Sequence, residues 1–117
     1  MLTDHRKINI LGTDVVVEFR KESEDPKLDG LSGYYDPTAN SIVVKVYDTT
    51  DQYSVSNLEH LQKETLRHEI IHAFLYESGV QDCSSPCDAW ATNEEMVDWF
   101  AIQAPKIFKV FREQGLI

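Results

Sequence analysis

Cysteine is nearly missing from this chain. Cys83 and Cys87 are the only two in 117 residues, too few to staple a small fold with disulfides. Separated by Ser84, Ser85 and Pro86, they can pair or touch a metal, but a thiolate-only zinc site needs two more ligands, so two reduced thiols are expected. Positive charge is also short. Eleven Lys and Arg stand against 20 Asp and Glu, a formal charge of −9 that repels the phosphates of DNA and RNA. The small group Lys106, Lys109 and Arg112 falls at helical spacing and reads as a solvated face, which leaves no nucleic-acid partner. No apolar run approaches the roughly 18 to 20 residues that span a bilayer, so no membrane partner is expected either. Met1 to Ile10 carries Asp4, His5, Arg6 and Lys7 and lacks the apolar core of a secretory signal; the expected location is cytoplasmic.

What is present suffices for one folded domain. Hydrophobic residues make up 42% of the chain, which argues against disorder, and the length fits a single domain over 1–117. The first half is strand-rich and the second helical, with the change near Tyr53 to Ser56. Ile8 to Leu11 and Val15 to Phe19 flank Gly12-Thr13-Asp14, a predicted tight hairpin. Leu31 to Tyr35 leads through Asp36-Pro37-Thr38-Ala39-Asn40 into Ser41 to Tyr47 as a second hairpin. Between the hairpins, Lys21 to Gly30 is polar and contains Pro26, so an exposed loop is predicted. The pattern predicts an α+β fold, with a small, mainly antiparallel sheet from the N-terminal half packed on helices.

Two helix starts are legible. Ser56-Asn57-Leu58-Glu59 matches a capping box and opens a segment free of Gly and Pro as far as Ser78, with Gly79 as its stop. Leu61, Thr65, His68, His72 and Leu75 form one stripe of this helix and Leu66, Ile70 and Phe74 another, leaving Glu59, Lys63 and Arg67 for water. Thr92-Asn93-Glu94-Glu95 supplies a second box, with Thr92 as the cap and Glu95 reaching back to it. Met96, Val97, Phe100 and Ala101 give that helix a packing face. Pro105 is predicted to begin a further short helix carrying Ile107, Phe108, Val110 and Phe111 up to Gly115.

The chemistry concentrates in His68-Glu69-Ile70-Ile71-His72. Residues four apart share a helix face, so both imidazoles can reach one metal ion, and Glu69 can lean toward a water held there and take its proton. A lone histidine in an apolar stripe is more often a satisfied core residue, but a pair at this spacing beside a carboxylate points to zinc. A catalytic zinc keeps three protein ligands and one open position. Candidates for the third are Glu94, Glu95, Asp98, His60, Asp82 and the two cysteines. With Glu95 turned back to cap the chain end, Glu94 is free to face the metal and is preferred. Asp98, one turn on, can accept the free ring N–H of a zinc-bound histidine and orient it. The competing reading of both acids is a solvated face favoured by the helix dipole.

The motif, followed 22 positions after its second histidine by Asn93-Glu94-Glu95-Met96-Val97-Asp98, resembles the gluzincin branch of the zincin metallopeptidases, of which thermolysin is a member. There a glutamate in an Asn-Glu-x-x-x-Asp context is the third zinc ligand and the aspartate supports a ligand, which implies those roles for Glu94 and Asp98. Glu94 to Ala101 also looks like the Glu-x-x-Ala-Asn-x-Phe-Ala segment of ImmA/IrrE-type metallopeptidases, with Val97 and Asp98 where Ala and Asn are usual. The chain as a whole is similar to small HExxH proteins of phages and prophages of Gram-positive bacteria. The resemblance implies a zincin-like fold, a Zn2+ cofactor and a protein or peptide substrate.

The expected activity is hydrolysis of peptide bonds by a zinc-activated water, with His68, His72 and Glu94 as ligands and Glu69 as the general base that later protonates the leaving amine. Tyr34, Tyr35, Tyr53 and Tyr76 are the tyrosines from which an oxyanion donor could come, although each fits a packing role; no residue matches the transition-state histidine of thermolysin. The resemblance nominates Ile42 to Tyr47 as the edge strand that holds an extended substrate. Two alternatives stay open. One is a non-enzymatic zinc-binding interaction module on the same scaffold, against which the retention of Glu69 speaks. The other is a closed structural zinc site in which Cys83 and Cys87 join His68 and His72.

Overall fold

Alternating β-branched residues build the sheet. In strand β2 (Thr13–Lys21) Val15, Val17 and Phe19 are buried while Val16 points outward, the period of two that a strand with one covered face requires. The structure, a computed structural model, describes residues 1–48, 57–80 and 93–117, with the backbone alone for Val110. Strand β1 (Arg6–Ile10) pairs antiparallel with β2. Their turn is Leu11-Gly12, one residue earlier than expected, with φ of 51° and 96°. Both are positive, as the twist-compatible two-residue hairpin turn demands, and Thr13 and Asp14 pair within the sheet opposite Ile10 and Asn9.

The sheet is mixed. Strands β3 (Gly33–Asp36) and β4 (Ser41–Val46) form the second hairpin, but the four strands lie in the order β1-β2-β4-β3, with β2 and β4 parallel. Ile42, Val43 and Val44 are all buried. Three apolar residues in succession need cover on both faces, which places β4 inside the sheet and leaves the short β3 at the edge. The nomination of Ile42 to Tyr47 as a substrate-holding edge is thereby corrected: that edge, on the site's side, is β3.

Residues 21–30 form the expected loop, exposed at all positions but two. They contain a 3-10 turn, Pro26–Leu28, and both its capping residue Asp25 and Leu28 are buried. Tyr34, opposite Val43 in the register, donates its hydroxyl to Asp25, and Arg20 Nη1 lies 3.1 Å from the same carboxylate. These contacts cover the sheet face that Val43 presents, and the Tyr34 bond holds the Asp25 carboxyl below its usual range.

The opposite face carries the main core, where Ile10, Val15, Val17, Phe19, Ile42 and Val44 meet Leu66 and Ala73 of helix α1 (Leu58–Glu77). Asn57 is the cap: its Oδ1 accepts from the His60 N–H at 3.0 Å, one residue later than the predicted Ser56, which lies outside the described residues. Gly79, at φ 83°, follows the helix end as expected. The buried stripe of α1 is Gln62, Thr65, Leu66, Glu69 and Ala73, whereas Phe74 is exposed. Gln62 stays buried because its amide is fully used. It accepts from Leu2 N–H at 2.6 Å and donates to the carbonyls of Leu2 and Lys45, each at 3.0 Å.

Helix α2 (Glu94–Glu113) runs unbroken through Pro105 and packs on α1. The expected short separate helix does not exist. Asn93 performs the capping, accepting from Met96 N–H at 2.8 Å; the predicted cap Thr92 lies outside the described residues. Glu95 is therefore the second helical residue and not the third, so the expected capping box is not what frees Glu94. Val97 and Ala101, one turn apart, are buried.

Candidate metal centre

Helix α1 presents His68 and His72 on one face, and their Nε2 atoms converge to 3.1 Å. Glu94, first residue of α2, brings one carboxylate oxygen to 3.2 Å from His68 Nε2 and the other to 3.1 Å from His72 Nε2. Asp98 Oδ1 sits 2.6 Å from His68 Nδ1. This bond assigns the ring proton to Nδ1 and turns the Nε2 lone pair inward. The His68 Nε2 lone pair, His72 Nε2 and a carboxylate then face one another within 3.2 Å, an arrangement that can take up a cation. Tetrahedral zinc with nitrogen and oxygen ligands at about 2.0–2.1 Å holds its donor atoms about 3.3 Å apart, close to the separations seen. The donor set is therefore one that could hold a metal ion. Among the described residues His68, His72 and Glu94 are the group whose ligand atoms gather within 4.8 Å.

Of the other third-ligand candidates, His60 lies on the exposed side of α1, 3.8 Å from Glu64, and Glu95 is not in the cluster. Asp82, Cys83 and Cys87 lie outside the described residues, as does Tyr53. Carboxylates on the first turns of α2 also meet the positive end of its dipole, so the acidic-face reading and the ligand reading use one geometry.

Glu69 is the buried member, 7% exposed, with Oε1 3.9 Å from His68 Nε2. Burial pushes its carboxyl up to about 7; the neighbouring Glu94 and Asp98 raise it further and His68 opposes them. A carboxyl poised near neutrality can both take and return a proton. Burial also lowers the His72 pKa, with His68 adding to the effect and Glu94 opposing it, which favours the neutral ring that a metal ligand needs.

Two clefts meet at this point. One, of about 510 Å³, is walled by Leu31, Tyr34, Tyr35, Pro37 and Tyr76. The other, of about 260 Å³, is walled by Ser32, Leu61, Glu64, Thr65 and Asp98. Gly33, His68 and Glu69 line both, so the depression follows the β3 edge along α1. Gly33 permits this closeness. A Cβ there would stand 2.7 Å from the Val43 carbonyl oxygen and 2.8 Å from Thr65 Cγ2. Nothing in the sequence pattern singled out Gly33, because its neighbour on α1 lies 32 positions away.

The tyrosines separate by their partners. Tyr34 is committed to Asp25, and burial with that bond pushes its pKa up to about 12. Tyr35 stacks edge-on against Tyr76 at 6.0 Å, and its hydroxyl is buried with no partner among the described residues. Tyr35 and Tyr76 both line the larger cleft. Arg67 departs from expectation. It is half-buried, and its Nε donates to the Ala101 carbonyl at 2.7 Å; the signal that could have found it is Pro105, which leaves that carbonyl without its helical donor.

Comparison with known proteins adds nothing to this geometry: no family model, no curated protein and no solved structure matches the chain.

Proposed function

We propose that this chain is a zinc-dependent metallopeptidase of the zincin type, which hydrolyses a peptide bond of a protein or peptide substrate. The observation that carries the proposal is the convergence of His68, His72 and Glu94 on one point beside a buried carboxyl, at the junction of two clefts along a sheet edge. When bound, zinc supplies a Lewis acid that acidifies water and polarises a carbonyl. His68, His72 and Glu94 hold the ion. Asp98 fixes the His68 ring and its tautomer. Glu69 accepts the proton of the attacking water and delivers it to the leaving amine. The outer edge of β3, unpaired among the described residues, offers backbone groups for an extended peptide, and the cleft beside Tyr35 and Tyr76 receives a side chain next to the scissile bond.

The test combines zinc quantification with cleavage of a broad peptide library. Wild type is expected to bind one zinc and to cut, and Glu69→Gln to retain zinc while losing about 10²- to 10⁴-fold in rate. Cleavage that survives Glu69→Gln removes the general-base assignment. Zinc binding without cleavage by wild type favours the alternative of a non-enzymatic interaction module. Glu94→Ala is expected to release zinc far more readily than Glu95→Ala, and equal effects contradict the ligand assignment.

A further inference from the structure

Helix α2 meets α1 at three levels in opposite chain order: Glu94 with His72, Asp98 with His68, and Ala101 with Arg67. Spacings of four and three residues keep Glu94, Asp98 and Ala101 on one face of α2. The first two levels end in carboxylates that are 66% and 61% exposed and that reach side chains of α1. Only the third grips the backbone. Pro105 has no N–H for the carbonyl four residues behind it, which is that of Ala101, and Ala101 is 1% exposed. Arg67 Nε fills the vacancy at 2.7 Å.

We infer that Arg67 is a positioning residue: by bonding the carbonyl that Pro105 frees, it fixes the register of α2 on α1 and so brings Glu94 and Asp98 to the two histidines. A slip of one residue along α2 turns its face by about 100° and moves it about 1.5 Å, enough to carry Glu94 off the imidazoles. The inference rests on the metal reading of that cluster. It concerns a residue directly before the motif that touches none of the ligand atoms.

Arg67→Gln and Arg67→Met separate the latch from the charge. Both remove the cation and both have a side chain long enough to reach the position of Nε, but only glutamine places an N–H there. Zinc affinity is read by competition with a chelating indicator, and Co2+ absorption in the visible reports the ligand geometry. Arg67→Met is expected to weaken zinc roughly tenfold or more and to alter the cobalt bands. Arg67→Gln is expected to stay within about threefold of wild type with wild-type bands. If Arg67 acted only as a nearby charge, its removal would tighten the binding of a dication, and both variants would do so equally. Either that outcome or equal weakening by the two variants overturns the latch. Should Arg67→Met fail to fold, the pair is compared in a Pro105→Ala background, where the Ala101 carbonyl regains a helical donor and the latch has no vacancy to fill; the two variants are then expected to bind zinc within about threefold of each other, and a persisting tenfold gap, or tighter binding by both than by Pro105→Ala alone, overturns the inference. His72→Ala provides the separate control: wild type binding no tighter than His72→Ala defeats the metal reading itself.

Discussion

At the scale of single residues, Glu69 carries the sharpest energetic signature. Its carboxyl is raised to about 7 from an ordinary 4.5, so the folded, metal-free chain prefers it protonated. A raised carboxyl contributes stability that is complete below about 4.5 and is lost as pH climbs through about 7. Glu69→Gln removes that dependence. In metal-free protein the substitution is expected to stabilise the fold at pH 8 by on the order of 2–3 kcal/mol and to change little at pH 4.5, measured by urea unfolding at both pH values. An equal effect at the two values would remove burial as the cause. Glu69 was legible from its place between two histidines. The burial that tunes it was not, since Gly33 of β3, which lines both clefts with Glu69, lies 36 positions away in the chain.

At the scale of elements, the buried stripe of α1 explains why simple amphipathic reading went astray. Gln62, Thr65 and Glu69 occupy three of its five buried positions, so polarity hides the face that packs. Each has a tertiary reason: Gln62 bonds Leu2 and Lys45, Thr65 abuts Gly33, and Glu69 lines both clefts. Phe74, chosen for the core by its hydrophobicity, is 43% exposed. The closeness of α1 to β3 is testable at Gly33. Gly33→Ala pushes a methyl into Val43 and Thr65 and is expected to cost about 1–3 kcal/mol in unfolding free energy. It is also expected to lower cleavage activity, because the helix that carries the histidines must move away from the edge strand. A neutral result in both assays would mean that the interface yields without consequence. Helix ends illustrate the same limit on a smaller scale, with Asn57 and Asn93 each capping one residue beyond the predicted Ser56 and Thr92. Both asparagines sit in the same polar cluster as their rivals, and only the backbone path decides between neighbours.

At the scale of the molecule, the cluster of His68, His72 and Glu94 bridges two helices that also meet through Val97, Ala101 and the Arg67 bond. A ligand that binds only the folded chain stabilises it by about 2.7 kcal/mol at a hundredfold excess over its dissociation constant. For a chain of this length that corresponds to a rise in Tm of roughly 10 °C. Zinc is expected to produce such a rise in thermal unfolding, EDTA to abolish it, and Glu94→Ala to lose it. A Tm indifferent to zinc in wild type would detach the cluster from any metal. The sequence by itself determined what depends on short spacing: two imidazoles four residues apart on a helix, a carboxyl between them, the existence of the strands, and the stop at Gly79. Residues within one turn are fixed relative to each other by backbone geometry alone, so a local pattern suffices. The tertiary structure decided the parallel insertion of β4 between β2 and β3, the exposure of β3 as the edge beside the site, and the bond from Arg67 to Ala101. Those outcomes follow from competition among distant segments for cover and for hydrogen-bond partners, and no local spacing encodes who wins it.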